Sequence, residues 1–297
     1  MRHKVANLDG PVHYVDFGGA GPALLMVHGL GGSAINWMAV GPEIAESYHT
    51  VAIDLAGFGQ TPLFGRSATV GANTALVHDF IEQVIGEPVT LMGNSMGGHI
   101  AVLEAAEHPA SVSSLVLVDA AVPGRYVPRA EPTMLGALAA LSIPGLGRSL
   151  LDHQLRGLDA EKLVNRTLAV VSADPSSIDP EVVEAHVKLT REREHLGRQN
   201  GRAFIQAFRS IGLRLANPRF WARVAKVQAP TLVIHGSLDR VIPLAAAHEL
   251  ARRRPDWQLE ILQGVGHVPM LEAPDRFMQV LSAWGAYRIP SQSAAAS

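Results

Sequence analysis

Between the apolar, β-rich run Val89-Thr90-Leu91-Met92 and a helical run from Ile100 to Glu107 lies Gly93-Asn94-Ser95-Met96-Gly97-Gly98. It is a G-x-S-x-G pattern set between a strand and a helix. At such a turn a serine is held in a strained backbone conformation, and only small residues at the glycine positions let the chain pass so closely. Its hydroxyl then projects from the sheet. The adjoining helix N-terminus, with free NH groups and the positive end of the dipole, favours an anion forming on a bound substrate. The chemistry on offer is nucleophilic attack on a carbonyl. A glycine-rich loop with an incidental serine would read the same way over these few residues, but the flanking strand and helix favour the nucleophile.

A serine hydroxyl is a poor nucleophile at neutral pH, so Ser95 requires a histidine base and an acid that fixes the imidazole. The chain has 13 histidines. His267, in Gly264-Val265-Gly266-His267-Val268-Pro269, comes after the last strand-like run and is the best placed. His28 and His99 flank glycine-rich turns and suit local backbone hydrogen bonds. For the acid, Asp239 comes after the run Thr231 to Ile234 in His235-Gly236-Ser237-Leu238-Asp239. The chain order is Ser95, Asp239, His267, one of the known orders of this triad. Asp119, at the end of Leu115 to Val118, is a second candidate acid, read as capping the start of the segment beyond that strand. Asp54, also at a strand end, is read as shaping a turn.

These residues need a frame that carries strand ends to one edge. Val5 to Leu8 and Val12 to Phe17, joined by Asp9-Gly10-Pro11, read as an antiparallel pair. Ala23 to Val27, Thr50 to Ile53, Val89 to Met92, Leu115 to Val118, Thr231 to Ile234 and Gln258 to Leu262 are each succeeded by a helical pattern. Strand then helix, repeated, predicts an α/β fold with a mostly parallel sheet covered on both faces, its functional residues at the carboxyl ends of the strands. From Asp119 to Pro230 the alternation gives way to helix-like stretches, an insertion. Its first half, with Met134, Leu135, Leu138, Leu141, Ile143, Leu146, Leu150 and Leu151, is apolar, and Glu181 to Arg202 is rich in charge. The expected division is core over 1–122 and 218–290, a helical cap or lid over 123–217, and a disordered tail over 291–297.

Composition narrows the partners. In 297 residues, 25 Lys+Arg face 27 Asp+Glu, interspersed, for a formal charge of -2. That leaves no electrostatic footprint for nucleic acid and no polybasic patch for a membrane surface. The absence of cysteine excludes disulfides, thiolate metal sites and a cysteine nucleophile. The apolar runs are strand-sized, far below the roughly 18 residues of a membrane span, and the first residues lack an export signal. A cytoplasmic protein is expected. His248-Glu249 starts an H-E-x-x-H pattern that Arg252 breaks, and the glycine clusters match neither phosphate-binding fingerprint. No metal and no cofactor are expected.

The sequence resembles the α/β-hydrolase family over nearly the whole chain. The matching pieces, in order, are His28-Gly29-Leu30-Gly31-Gly32, Asp54-Leu55-Ala56-Gly57-Phe58-Gly59, the segment around Ser95, His235-Gly236-Ser237-Leu238-Asp239, and Gly266-His267. The resemblance implies an eight-stranded core, a cap inserted after the sixth strand, and an oxyanion hole from the backbone NH groups of Leu30 and Met96. It favours Asp239 over Asp119, because the Asp239 loop matches the commoner location of the acid. Family branches with an aspartate nucleophile are excluded by Ser95. The resulting expectation is a carboxylesterase acting on small to medium apolar esters. Two alternatives stay open: carbon–carbon bond hydrolysis of ring-fission diketones, and a ligand receptor with little turnover. Members of the carbon–carbon branch carry a cap arginine, for which Arg191, Arg193, Arg198 and Arg202 are candidates or else a solvated helix face. They also carry an aromatic residue after the histidine motif, where this chain has Val268 and Met270.

Overall fold

The computed structural model describes residues 1–124, 159–194 and 197–286. Its centre is an eight-stranded sheet: β1 (Arg2–Asn7), β2 (Pro11–Gly18), β3 (Ala23–Val27), β4 (His49–Ile53), β5 (Val89–Asn94), β6 (Val112–Val118), β7 (Thr231–Gly236) and β8 (Gln258–Leu262). The spatial order is β1-β2-β4-β3-β5-β6-β7-β8. β2 pairs antiparallel with β1 and β4, and the remaining neighbours are parallel. The α/β fold expected from the strand-helix alternation is the fold observed. Its strands run longer in places than their apolar residues suggest. β6 starts at Val112, because Val112 and Ser114 pair with Val89 and Thr90 of β5 although Ser113 and Ser114 carry no apolar signal.

The inner strands are apolar throughout because both faces are covered. On β3, Leu25 and Val27 join one buried cluster while Leu24 and Met26 join the other. The first cluster lies under α2 (Val70–Phe80), α3 (Met96–Glu107), α6 (Gly197–Leu215), α7 (Phe220–Val224) and α8 (Ala245–Arg253). The second lies under α1 (Gly41–Ile44), α4 (Ala160–Val171), α5 (Pro180–Glu192), α9 (Pro269–Glu272) and α10 (Pro274–Ala286). Burying a leucine or methionine of β3 fully is worth about 1.5–3 kcal/mol each.

Between β6 and β7 the described regular elements are all helices, α4, α5, α6 and α7 with a short 3-10 turn at Pro175–Ser177. The start signals of α4 and α5 are local: Asp159 accepts from the Lys162 NH at 2.8 Å, and Asp179 accepts from the Glu181 NH at 2.8 Å, with Pro180 in the first turn. The apolar stretch from Met134 to Leu151 and the expected tail over 291–297 lie outside the described residues. Among the described residues no helix is long and apolar enough to cross a membrane.

β3 lies between β4 and β5, so the chain changes direction across the sheet there. A crevice opens outside the carboxyl ends of strands at such a switch point. The loop after β3, with His28-Gly29-Leu30, and the turn after β5, with Ser95, meet at that edge.

Candidate active site

Ser95 leaves β5 with φ of 55° and ψ of -116°, and α3 begins at the next residue, Met96. A positive φ is costly for a residue with a β-carbon, and the surroundings enforce it. The Ser95 NH donates to the Val118 carbonyl at 2.9 Å, and the Ser95 carbonyl accepts from Ala121 at 3.0 Å. Two glycines make the turn possible: a β-carbon on Gly93 would collide with the Gly97 carbonyl, and one on Gly97 with the Val27 carbonyl. As N-terminal residue of α3, Met96 presents a backbone NH with no partner inside the helix. Across the gap, a β-carbon on Gly29 would stand 3.0 Å from that of Ser95, so the loop carrying Leu30 passes directly over the serine.

His267 and Asp239 meet as expected. His267 Nδ1 lies 2.6 Å from Asp239 Oδ2, and both residues are buried. The other Asp239 oxygen accepts from the NH groups of Val241 at 2.7 Å and Ile242 at 2.9 Å, which fixes the carboxylate. Burial opposes ionisation of Asp239, but the charge and hydrogen bond of His267, with His235 and the Ile242 NH, outweigh it and hold the group below its usual range. With Nδ1 committed to Asp239, the imidazole has Nε2 left for a second partner. The histidine is tied to the serine turn by Asn94, whose Nδ2 donates to the His267 carbonyl at 3.1 Å and to the Val118 carbonyl at 3.2 Å.

Asp119 does not cap the segment beyond β6. Its Oδ1 accepts from the Gly236 NH at 2.9 Å, and its Oδ2 is buried without a hydrogen-bond partner. Burial, and after it the Asp239 charge, pushes its carboxyl well above the usual range. The neutral acid can donate to Asp239, which supplies the partner that the ionised form lacks. His235 completes the cluster, 3.6 Å from Asp119 Oδ1 and 3.7 Å from Asp239 Oδ2.

The remaining residues near the strand ends, His28, His99 and Asp54, serve the local fold. His28 bonds the Gly29 carbonyl at 2.7 Å through Nδ1 and accepts the Leu55 NH at 3.1 Å through Nε2, which uses both ring nitrogens of a neutral imidazole. Burial pushes His99 down to about 4, and its Nδ1 donates to Ala121. Asp54 shapes its turn: it accepts from the NH groups of Ala34 at 2.6 Å and Gln60 at 2.7 Å and bonds His13 at 2.6 Å.

Two features escape the sequence. Glu272 accepts from the NH groups of Gly266 at 2.9 Å and of Ala173 and Asp174 at 3.1 Å, while the His267 NH donates to Val171 at 2.7 Å. The end of α4 and the histidine loop are thereby clamped to one carboxylate. An acid inside Pro269-Met270-Leu271-Glu272-Ala273 is the signal that could have revealed it. Glu272→Ala leaves those NH groups without their acceptor and is expected to cost about 3 kcal/mol. Glu272→Gln, which keeps one acceptor oxygen, should cost less, and urea unfolding midpoints of the two variants check the order.

The second feature concerns the cap arginines. Arg191 and Arg202 are exposed, and the Arg198 side chain lies outside the described residues. Arg193 differs: at the end of α5 its Nη2 donates to the Gly57 carbonyl at 2.8 Å, its charge is felt by His28, and the Asp54 carboxylate favours that charge against burial. A guanidinium therefore stands over the ends of β3 and β4, where a solvated helix face was the simpler expectation.

Comparison with known proteins agrees with this architecture. 2-hydroxy-6-oxononadienedioate/2-hydroxy-6-oxononatrienedioate hydrolase 2 of Pseudomonas putida is 27% identical over 290 residues, covering 94% of this chain and 93% of that protein. The crystal structure of a membrane phospholipase A, a bacterial virulence factor, is 29% identical with a TM-score of 0.73, covering 97% of this chain and 87% of that one. A meta-cleavage product hydrolase of Pseudomonas fluorescens IP01 shares the fold at 21% identity, with a TM-score of 0.75 over 96% of this chain and 97% of the other. The sheet order, the serine turn and a family match over residues 24–280 lead to one assignment: this chain belongs to the alpha/beta hydrolase family.

Proposed function

We propose that the protein hydrolyses a carbon–carbon bond beside a carbonyl in a vinylogous diketo acid of the ring-fission type, with Ser95, Asp239 and His267 as its triad. Ser95 Oγ attacks the ketone while His267 takes its proton, and Asp239 stabilises the imidazolium. The NH groups of Leu30 and Met96 hold the oxyanion. On collapse the carbon–carbon bond breaks, its electron pair leaves as a delocalised dienolate, and His267 returns the proton to that fragment. Water, activated by His267, then releases the acid from Ser95. In this reading the segment over 123–217, whose described part contains α4, α5 and α6, serves as the cap of the site.

What carries the choice of bond is the kinship with the Pseudomonas putida hydrolase, whose name specifies a 2-hydroxy-6-oxo dicarboxylate, across 94% of this chain. Arg193 supports it, because a cation over the strand ends suits a substrate carboxylate. Ester hydrolysis is the second reading. The 29% identity to a phospholipase favours it, as do Val268 and Met270 where the carbon–carbon branch carries an aromatic residue.

The test compares turnover of a 2-hydroxy-6-oxo-dienoate with that of p-nitrophenyl acetate and butyrate. A kcat/KM for the dienoate above that for both esters supports carbon–carbon hydrolysis, and the reverse order replaces it with the ester reading. Arg193→Gln keeps a donor for Gly57 but removes the charge. It should raise KM for the dienoate by about 10- to 100-fold while leaving ester turnover near wild type.

A further inference from the structure

At the far end of α3 from Ser95, a second group of chemistry-bearing side chains converges. Glu104 lies in the last turn of α3 and His108 is the residue that ends it, and His78 of α2 faces them. Their ligand atoms lie within 4.8 Å of one another. His78 Nδ1 is 2.9 Å from Glu104 Oε1, and the His78 and His108 rings stack with centroids 3.6 Å apart. The helical rise puts this group about 13 Å along the axis from the serine, outside the machinery described above.

Three observations bear on what the group is for. Glu104 is fully buried; Oε1 is bonded to His78 and Ser111, but Oε2 has no hydrogen-bond partner among the described residues. A buried carboxylate with one oxygen unserved is costly in a way that a bound cation would relieve. Second, a cavity of about 170 Å³ adjoins the group, lined in part by His78, His108, Asp79, Glu107 and Arg214, with room for water molecules to complete a coordination sphere. The lining acids Asp79 and Glu107 face a single lining arginine, Arg214; Glu107 also lies 3.5 Å from Arg223. Third, the group sits at the C-terminal end of α3, where the helix dipole favours positive charge.

We propose that His78, Glu104 and His108 bind a divalent first-row transition metal, with Zn²⁺ the best matched. Two borderline imidazoles with one hard carboxylate suit Zn²⁺ and Co²⁺, and the imidazoles disfavour Mg²⁺. The 2.9 Å between His78 Nδ1 and Glu104 Oε1 is close to the separation of two ligand atoms whose bonds of about 2.1 Å meet near a right angle. The ion replaces the proton shared by that pair, the His108 ring turns out of its stack on His78 to bring a nitrogen to the ion, and water from the cavity fills the remaining positions. Its effect is structural: it staples the end of α3 to α2 and to Ser111, the residue that leads into β6.

The test is calorimetry and thermal unfolding of the whole protein after chelator treatment, with Zn²⁺, Co²⁺ and Mg²⁺ as probes. The expected result is one Zn²⁺ per chain with Kd below about 10 μM, a rise in Tm, and no comparable response to Mg²⁺. Co²⁺ should give the visible absorption of a nitrogen- and oxygen-ligated ion. His108→Ala, at the partly exposed helix end, should weaken Zn²⁺ binding at least about tenfold, and His78→Gln should do the same. Turnover by the metal-free His108→Ala protein should match that of the metal-free wild type. No Zn²⁺ binding at 100 μM, roughly ten times that limit, would overturn the assignment. So would binding that His108→Ala leaves unchanged, which would place the ion elsewhere, for example at Asp119, His235 and Asp239.

Discussion

Ser95→Ala removes covalent labelling by a serine-reactive phosphonate and lowers kcat by about six orders of magnitude, the scale seen when a triad nucleophile is deleted. The effect is large because the turn concentrates several contributions on one oxygen. The strained φ of 55° aims the side chain off the sheet edge, in the proposed reaction the start of α3 supplies NH groups for the oxyanion, and Asn94 ties the histidine loop to the same turn. None of these helps a side chain that has no nucleophile. Alanine accepts the same backbone contacts as serine, and no hydrogen bond in the fold depends on the Ser95 hydroxyl among those described, so Tm should stay within a few degrees of wild type. Loss of turnover with unchanged Tm isolates the chemistry from folding. Residual activity above about 1% of wild type, or phosphonate labelling of the alanine variant, would remove Ser95 from its role.

Much of the frame is legible in the sequence because its signals are local. A buried parallel strand such as Ala23–Val27 is apolar at every position, the turn at Ser95 needs small residues at fixed offsets, and Asp239 and His267 sit in loops directly after strands. What the sequence hides is made by contacts between distant segments. Asp119 looks like a cap in one dimension. Only the pairing of β6 with β7 shows that its carboxyl receives the Gly236 NH and lies against Asp239. Glu272 is an unremarked acid until α4 brings Ala173 and Asp174 to it. Arg193 belongs to a run of charges whose other described members face solvent, and its distinction comes from the Gly57 carbonyl, far away in the chain. The substrate is less legible than the fold for a related reason: the apolar stretch from Met134 to Leu151, read as the underside of a lid, lies outside the described residues.

Asp239→Asn is expected to lower kcat by about four orders of magnitude, whereas Asp119→Asn leaves it within about threefold of wild type. The contrast arises from which proton each carboxyl handles. Asp239 Oδ2 receives the His267 Nδ1 proton, and its Oδ1 is held by the Val241 and Ile242 NH groups. An amide placed there either offers an NH₂ to Nδ1, selecting the wrong tautomer, or turns that NH₂ towards two backbone donors. Asp119 cannot stand in, because its Oδ1 is already occupied by Gly236 and it faces His235 instead of His267. Asn at position 119, by contrast, reproduces the neutral acid: its oxygen accepts from Gly236 and its NH₂ donates towards Asp239. Its backbone is also suited, since φ at Asp119 is 46° and asparagine tolerates the left-handed region best among residues with a β-carbon. Asp119→Ala lacks both bonds and should lose about 2–3 kcal/mol of stability, readable as a lower urea midpoint that Asn restores. If Asp119→Asn proves severe and Asp239→Asn mild, the acid of the triad is Asp119, and the strand-end cluster works in the opposite order.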